Sequence, residues 1–127
     1  MISSNIRILQ VNLNRSSIAT ESALQIAIEL KVDLLVVQEP WLIWNQDQDY
    51  TNTRSISHSS FTQILLANRR HRPHTLVYVS STFCPLVSQA ATLPIDPDLL
   101  VIDIIKGKSK IQLLNVYNKE SQSGDSP

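Results

Sequence analysis

The sequence predicts an α/β fold with a mixed β-sheet that starts with a βαβ unit. Residues 6–13 are β-branched and apolar with polar interruptions, which favours a strand. Residues 33–38 are a short continuous apolar run, typical of a strand covered on both faces. The segment between them has helical apolar periodicity. Two strands joined by a helix are expected to be parallel, with a right-handed crossover.

The predicted helix follows Ser16 and Ser17, either of which could cap its first turn. Glu21 is expected in the first turn and Lys31 in the last turn, where each charge would favour the helix dipole. Apolar residues at helical spacing are expected to face the sheet. They are Ala19, Ala23, Ile26, Ala27 and Leu30.

Later segments add further strands to this start. Residues 61–66 and 75–80 each predict a strand. Residues 99–105 and 111–117 predict a hairpin around the glycine-containing turn at 106–109. The stretch 41–60 is polar and aperiodic, and a loop of this length in a compact domain is more often functional than idle.

Composition excludes several classes of protein. A chain of 127 residues is one domain or part of one, and 43% hydrophobic residues suffice for a core. The net charge is zero, so overall electrostatics gives no case for nucleic acid. A single cysteine, Cys84, excludes an internal disulfide and a cysteine zinc site. The only glycines, Gly107 and Gly124, exclude a glycine-rich phosphate loop.

No segment predicts contact with a membrane. The first residues lack the apolar stretch of a signal peptide. The strongest apolar run, residues 34–37, is far shorter than the roughly 20 residues that span a bilayer. The sequence therefore predicts a soluble, intracellular protein.

Two polar residues, Asn12 and Glu39, follow the two predicted parallel strands. Both are expected at the carboxyl edge of the sheet, about 4.8 Å apart laterally if the strands are neighbours. Open α/β sheets bind ligands at this edge. Taken alone, Glu39 could be a solvated strand end and Asn12 an ordinary turn residue.

Three stretches together resemble a known family: Gln-Val-Asn-Leu-Asn-Arg at 10–15, Gln-Glu-Pro-Trp at 38–41 and Asn-Val-Tyr-Asn at 115–118. Their order and spacing resemble the endonuclease/exonuclease/phosphatase superfamily. Most similar is the endonuclease domain of LINE-type (non-LTR) retrotransposon polyproteins, and the sequence at 114–120 resembles the fungal members. Residues 72–79 add to the likeness, which covers essentially the whole chain. It implies a four-layer α/β/β/α sandwich, of which residues 1–127 would form one partial domain, truncated at its C-terminus.

The resemblance also implies a chemistry. Glu39 would hold a catalytic Mg²⁺, or Mn²⁺ in its place, Asn12 would orient the metal site, and Tyr117 would contact the scissile phosphate. Mg²⁺ is commonly held by one or two carboxylates, with waters and substrate phosphate completing its shell. The partner would be DNA, nicked in the nucleus to prime the reverse transcriptase carried by the rest of the polyprotein. By itself, Tyr117 would more often pack at the rim of a core.

The sequence departs from the family in its later motifs. It contains neither a Gly-Asp-Phe-Asn-type nor a Ser-Asp-His-type motif. His58, His71 and His74 have no suitable neighbouring aspartate, and Asp96 and Asp98 are interpreted as turn residues. We therefore expect a chain that lacks much of the second sheet, is inactive alone and associates through an uncovered sheet face.

Arg69, Arg70 and Arg72 cluster with His71. They form either a solvated loop or a patch that follows DNA phosphates. Trp41 is either a loop anchor or a residue that stacks on a nucleotide. Two other functions stay open from the sequence, namely a phosphatase of the same superfamily and a non-catalytic nucleic-acid-binding or interaction module.

Overall fold

The computed structural model describes residues 5–44, 50–66, 71–90 and 96–118. In these residues it contains seven strands and one α-helix, together with a short 3-10 helix at Tyr50–Asn52. No helix among them is long and apolar enough to cross a membrane. The elements are β1 (Ile8–Asn12), α1 (Ser17–Glu29), β2 (Leu34–Gln38), β3 (Phe61–Ile64), β4 (Thr75–Ser80), β5 (Leu86–Gln89), β6 (Leu99–Lys106) and β7 (Ser109–Val116).

The first sheet has the strand order β1-β2-β4-β3. β1 and β2 are parallel, whereas β4 is antiparallel to both β2 and β3. The predicted βαβ unit and mixed sheet are therefore confirmed. β2 is buried along its whole length, as its continuous apolar run predicted.

α1 covers one face of this sheet with part of the predicted stripe, since Ala23 and Ala27 are buried there and Ala19 packs against the same cluster. Its buried residues are Thr20, Ala23, Leu24 and Ala27, at the i, i+3, i+4, i+7 spacing of one helix face. Ile26 and Leu30 are 46% and 53% exposed, so their prediction as core residues was wrong. The pattern misled because Thr20 counts as polar, yet its hydroxyl donates to the Ser16 carbonyl at 2.7 Å and can be buried.

The two ends of α1 differ from the prediction in one respect each. Ser16 is the N-cap, and its Oγ accepts from the Ala19 amide at 3.0 Å. Glu21 lies beyond the first turn of α1 and Lys31 lies beyond its last turn. Neither terminal turn therefore carries the expected charge. Lys31 instead lies beyond the C-cap with φ +56°. Its amide donates to Ile28 and that of Val32 donates to Ala27, the bonding of a Schellman motif.

The second sheet is antiparallel, with the order β5-β6-β7. The predicted hairpin is present, and the pairing of Lys106 with Ser109 leaves a two-residue turn. Gly107 adopts φ +59° there, which glycine accepts at low cost. β5, which the sequence did not predict, pairs with β6.

The second sheet packs on the face of the first sheet opposite α1. One apolar cluster joins β2, β4 and β6, and its buried members are Leu34, Val36, Val77, Val79, Leu100, Ile102 and Ile104. Helix, mixed sheet and antiparallel sheet thus form three layers of an incomplete α/β sandwich. The inner face of β2 and β4 is therefore covered, contrary to the expected uncovered face. β1 differs, since Ile8, Gln10 and Asn12 are exposed.

Candidate functional site

The carboxyl ends of β1, β2 and β7 meet at one edge of the sandwich. Asn12, the last residue of β1, is paired in register with Gln38, and Glu39 follows directly. The main chain of Glu39 is fixed on both sides. Its amide donates to His74 at 3.0 Å, and its carbonyl accepts from Arg15 at 2.8 Å. The predicted position of Asn12 and Glu39 at one sheet edge is confirmed.

A hydrogen bond joins Glu39 to Tyr117 across the two sheets. The Tyr117 hydroxyl donates to Glu39 Oε2 at 2.7 Å, and both residues are half-buried. This hydrogen bond raises the pKa of Tyr117 above its usual value, and burial and the charge of Glu39 add to the effect. The structure therefore brings together two of the three residues predicted for the site.

Asn12 is at the same edge but bonds locally. Its Oδ1 accepts from the Asn14 amide at 2.9 Å, and its side chain is exposed. This is the turn geometry that Asn supports at strand ends. Within the described ranges its side-chain hydrogen bond stays in its own turn, so a role as metal ligand is still a prediction.

A buried pair of amides lies directly beneath Glu39 and Tyr117. Gln38 Nε2 donates to Asn115 Oδ1 at 2.5 Å. Asn115 Nδ2 donates to the carbonyls of Val37 and Leu76 at 3.1 and 3.0 Å. Asn115 is 1% exposed, so these bonds satisfy its amide without water. Both amides stand in the motifs that carried the family resemblance, but their pairing was not foreseen.

A histidine–aspartate pair lies beside Tyr117. His74 Nδ1 and Asp98 Oδ1 are 2.5 Å apart, and the His74 ring meets the Tyr117 ring edge-on at 5.3 Å. A main-chain hydrogen bond joins the same two segments, since the Tyr117 amide donates to the Asp98 carbonyl at 2.8 Å. No suitable aspartate neighbours His74 in the sequence, but folding brings Asp98 to it from 24 positions away. Asp96 has the expected turn role, accepting from the Asp98 amide.

Unusual backbone conformations concentrate at this edge. In the described part of the chain four non-glycine residues have positive φ, and three of them, Asn14, Arg15 and Glu39, lie here. Each such residue costs on the order of 1–2 kcal/mol and persists only where its surroundings hold it in place. Here the hydrogen bond from Arg15 to Glu39 links the two strained turns. Strain concentrated in this way is typical of functional sites.

Of the predicted nucleic-acid residues, the structure describes Arg72 and Trp41. Arg69 and Arg70 lie outside the described residues. Arg72 is half-buried, and its Nη2 donates to the Leu42 carbonyl at 3.3 Å. Trp41 is half-buried two residues after Glu39.

The donor set at this edge is small. Across the described residues no group of three or more histidine, cysteine, aspartate or glutamate side chains could hold a metal ion. Mg²⁺ requires fewer protein ligands than this, because one or two carboxylates suffice when waters and substrate phosphate complete its coordination shell. Glu39, with Asn12 at the same edge, fits this type of site.

Comparison with known proteins identifies the architecture. No protein-family model and no curated protein sequence matches the chain. Among solved structures, the endonuclease domain of TRAS1, a telomere-specific non-LTR retrotransposon, superposes with a TM-score of 0.61 at 18% identity. The chain has a retrotransposon-endonuclease fold. The match covers 93% of this chain and 47% of the TRAS1 chain, so the chain spans about half the length of that neighbour.

Proposed function

We propose that the chain is part of a Mg²⁺-dependent endonuclease domain of a LINE-type retrotransposon, which hydrolyses phosphodiester bonds of DNA. The observation that carries the proposal is the contact between Tyr117 and Glu39 at the carboxyl edge of the sandwich. It joins a hard oxygen ligand and a phenolic donor in a fold similar to the TRAS1 endonuclease domain. These are the groups that a metal-bound phosphodiester would meet.

Each residue of the site has a distinct role in this proposal. Glu39 would hold Mg²⁺ or Mn²⁺ with help from Asn12, and the bound ion would polarise the phosphoryl oxygen. Tyr117 would donate its hydroxyl to the scissile phosphate once that hydroxyl leaves Glu39. The His74–Asp98 pair packs against the Tyr117 ring and would keep the hydroxyl at the edge.

The wider setting follows from the same proposal. The target would be nuclear DNA, and the nick would prime a reverse transcriptase in the remainder of the polyprotein. Because Glu39 gives the cation a single carboxylate, we expect this chain by itself to bind Mg²⁺ weakly and not to nick DNA.

Terbium luminescence tests the metal site without requiring activity. Tb³⁺ is a hard, oxygen-preferring ion, and nearby aromatic residues such as Tyr117 sensitise its emission. We expect emission that Mg²⁺ and Mn²⁺ suppress by competition, and that Glu39→Gln removes. Glu21→Gln is the matched control, because Glu21 is an exposed residue of α1. Emission that survives Glu39→Gln would count against the proposed metal ligand, and plasmid nicking by this chain in Mg²⁺ would refute its inactivity.

A further inference from the structure

Arg15 lies immediately beside Glu39 at the carboxyl edge of the sheet. Its amide donates to the Glu39 carbonyl at 2.8 Å, and it adopts φ +58°. Its side chain is exposed. The residue therefore holds a permanent positive charge at the edge where the proposed metal ligand lies.

Arg72 reaches the same edge from the segment before β4. Its Nη2 donates to the carbonyl of Leu42, three residues beyond Glu39. Its Nε is enclosed and has no hydrogen-bond partner. The guanidinium is thus held in place, and a ligand would meet its outer N–H groups, because the enclosed Nε is out of reach.

Arg15 acts electrostatically on both Arg72 and Tyr117. Burial lowers the pKa of Arg72, and the positive charge of Arg15 lowers it further. The charge of Arg15 also lowers the pKa of Tyr117, against the larger effect of Glu39. Arg15 is therefore within electrostatic range of both.

Within the described residues, neither arginine forms an ion pair with a carboxylate. The side-chain ion pairs of that part of the chain are His74–Asp98 and Lys110–Asp103. The amino end of α1 begins two residues after Arg15 and has no acidic residue in its first turn, so its dipole adds to the positive potential. Like charges held together repel, and a bound anion would remove this repulsion.

We propose that Arg15 and Arg72 together bind a phosphate of the DNA backbone, adjacent to the phosphate that Tyr117 contacts. The planar guanidinium group suits this ligand because its paired N–H donors match two phosphate oxygens. The choice of DNA as the source of the phosphate rests on the proposed function. Arg72 thereby takes a role separate from Arg69 and Arg70, with which the sequence grouped it.

A DNA-binding assay tests the proposed roles of Arg15 and Arg72. The affinity for labelled duplex DNA is measured by fluorescence anisotropy in EDTA over a range of NaCl concentrations. Arg15→Gln and Arg72→Gln should each raise the dissociation constant about tenfold, the effect of losing one charged hydrogen-bonded contact. Each should also reduce the slope of log affinity against log salt by about one, and the double variant by about two. Arg15→Lys and Arg72→Lys should keep the slope but lose affinity, because lysine has the charge without the paired donors.

Arg7→Gln is the matched control. Arg7 is also an arginine that donates to one main-chain carbonyl, that of Leu30, but it precedes β1 at the opposite edge of the sheet. Variants of Arg15 and Arg72 that bind DNA like Arg7→Gln would overturn the inference, and so would a parent chain that does not bind duplex DNA. The assay contains no free metal, so its outcome is independent of the terbium test of Glu39.

Discussion

Gln38 and Asn115 form a hydrogen bond between the two sheets, one residue before Glu39 and two before Tyr117. The pair is buried, and Asn115 also bonds to main-chain carbonyls of β2 and β4. The Asn115 side chain therefore links β7 to β2 and β4, and it fixes where the ends of these three strands meet. The separation of Glu39 and Tyr117 is set by this buried contact as well as by their own.

Asn115→Ala should destabilise the fold by about 3 kcal/mol, because it removes three buried hydrogen bonds and leaves the Gln38 amide without its partner. Urea unfolding measures the change. Asn118→Ala, at an exposed asparagine three residues later, should alter stability by less than about 0.5 kcal/mol. Equal effects of the two substitutions would show that the buried amide network contributes little.

Tyr117 should ionise above its ordinary pKa of about 10, because its proton is shared with Glu39. The absorbance of phenolate during alkaline titration measures this, with Tyr117→Phe identifying the signal. Glu39→Gln should bring the pKa back toward 10, since the amide carries no negative charge. Tyr78, whose pKa is raised by burial, should be unaffected by that substitution.

The same shift makes the stability of the fold depend on pH. A group whose pKa is raised on folding contributes stability that is present below the pKa of the unfolded chain and is lost as pH rises through the folded pKa. We therefore expect the Tyr117 contribution to be complete below about pH 10 and to decline above it. Tyr117→Phe should remove this part of the alkaline decline, and an unchanged profile would argue against the hydrogen bond.

Leu24 and Ile26 should respond very differently to truncation. Leu24 is 2% exposed and packs against the first sheet, so Leu24→Ala should cost about 3 kcal/mol. Ile26 is 46% exposed, and Ile26→Ala should cost less than about 1 kcal/mol. Urea unfolding of the two variants would decide between the observed helix face and the one expected from periodicity.

Leu114 lies on the outer face of the second sheet and is 57% exposed. Leu86 and Val116, on the same face, are 64% and 52% exposed, and exposed apolar sheet faces favour association. Leu114→Thr should therefore reduce self-association, measured by sedimentation velocity, with little change in stability. Leu113→Thr should instead destabilise the fold, because Leu113 packs into the cluster between the sheets. Association that is insensitive to Leu114→Thr would assign it to another surface.

Much of the fold could be predicted because its signals are local. The β1–α1–β2 unit, β4 and the β6–β7 hairpin each follow from apolar periodicity and turn residues, and the structure shifts their ends by at most two residues. The position of Asn12 and Glu39 at one edge follows from the parallel pairing alone. β5 was missed because its four residues are mostly exposed and gain their order from pairing with β6.

The unforeseen parts of the site depend on contacts between distant segments. Gln38 and Asn115 are 77 positions apart, and His74 is 24 positions from Asp98. No local pattern of residues encodes such a pair, because each partner alone resembles an ordinary strand or turn residue. Asn115 carried a partial signal, as a polar residue that alternates with apolar ones on a strand and points inward.

The outermost position of β7 has a consequence for Asn12. β7 lies over β2 and β4, and in the part of the chain that the structure describes it pairs with β6 along one side only. A further strand joined to its other side would extend above β1 and shield Ile8, Gln10 and Asn12 from solvent. Adding a strand to the second sheet would therefore also remove the Asn12 side chain from water.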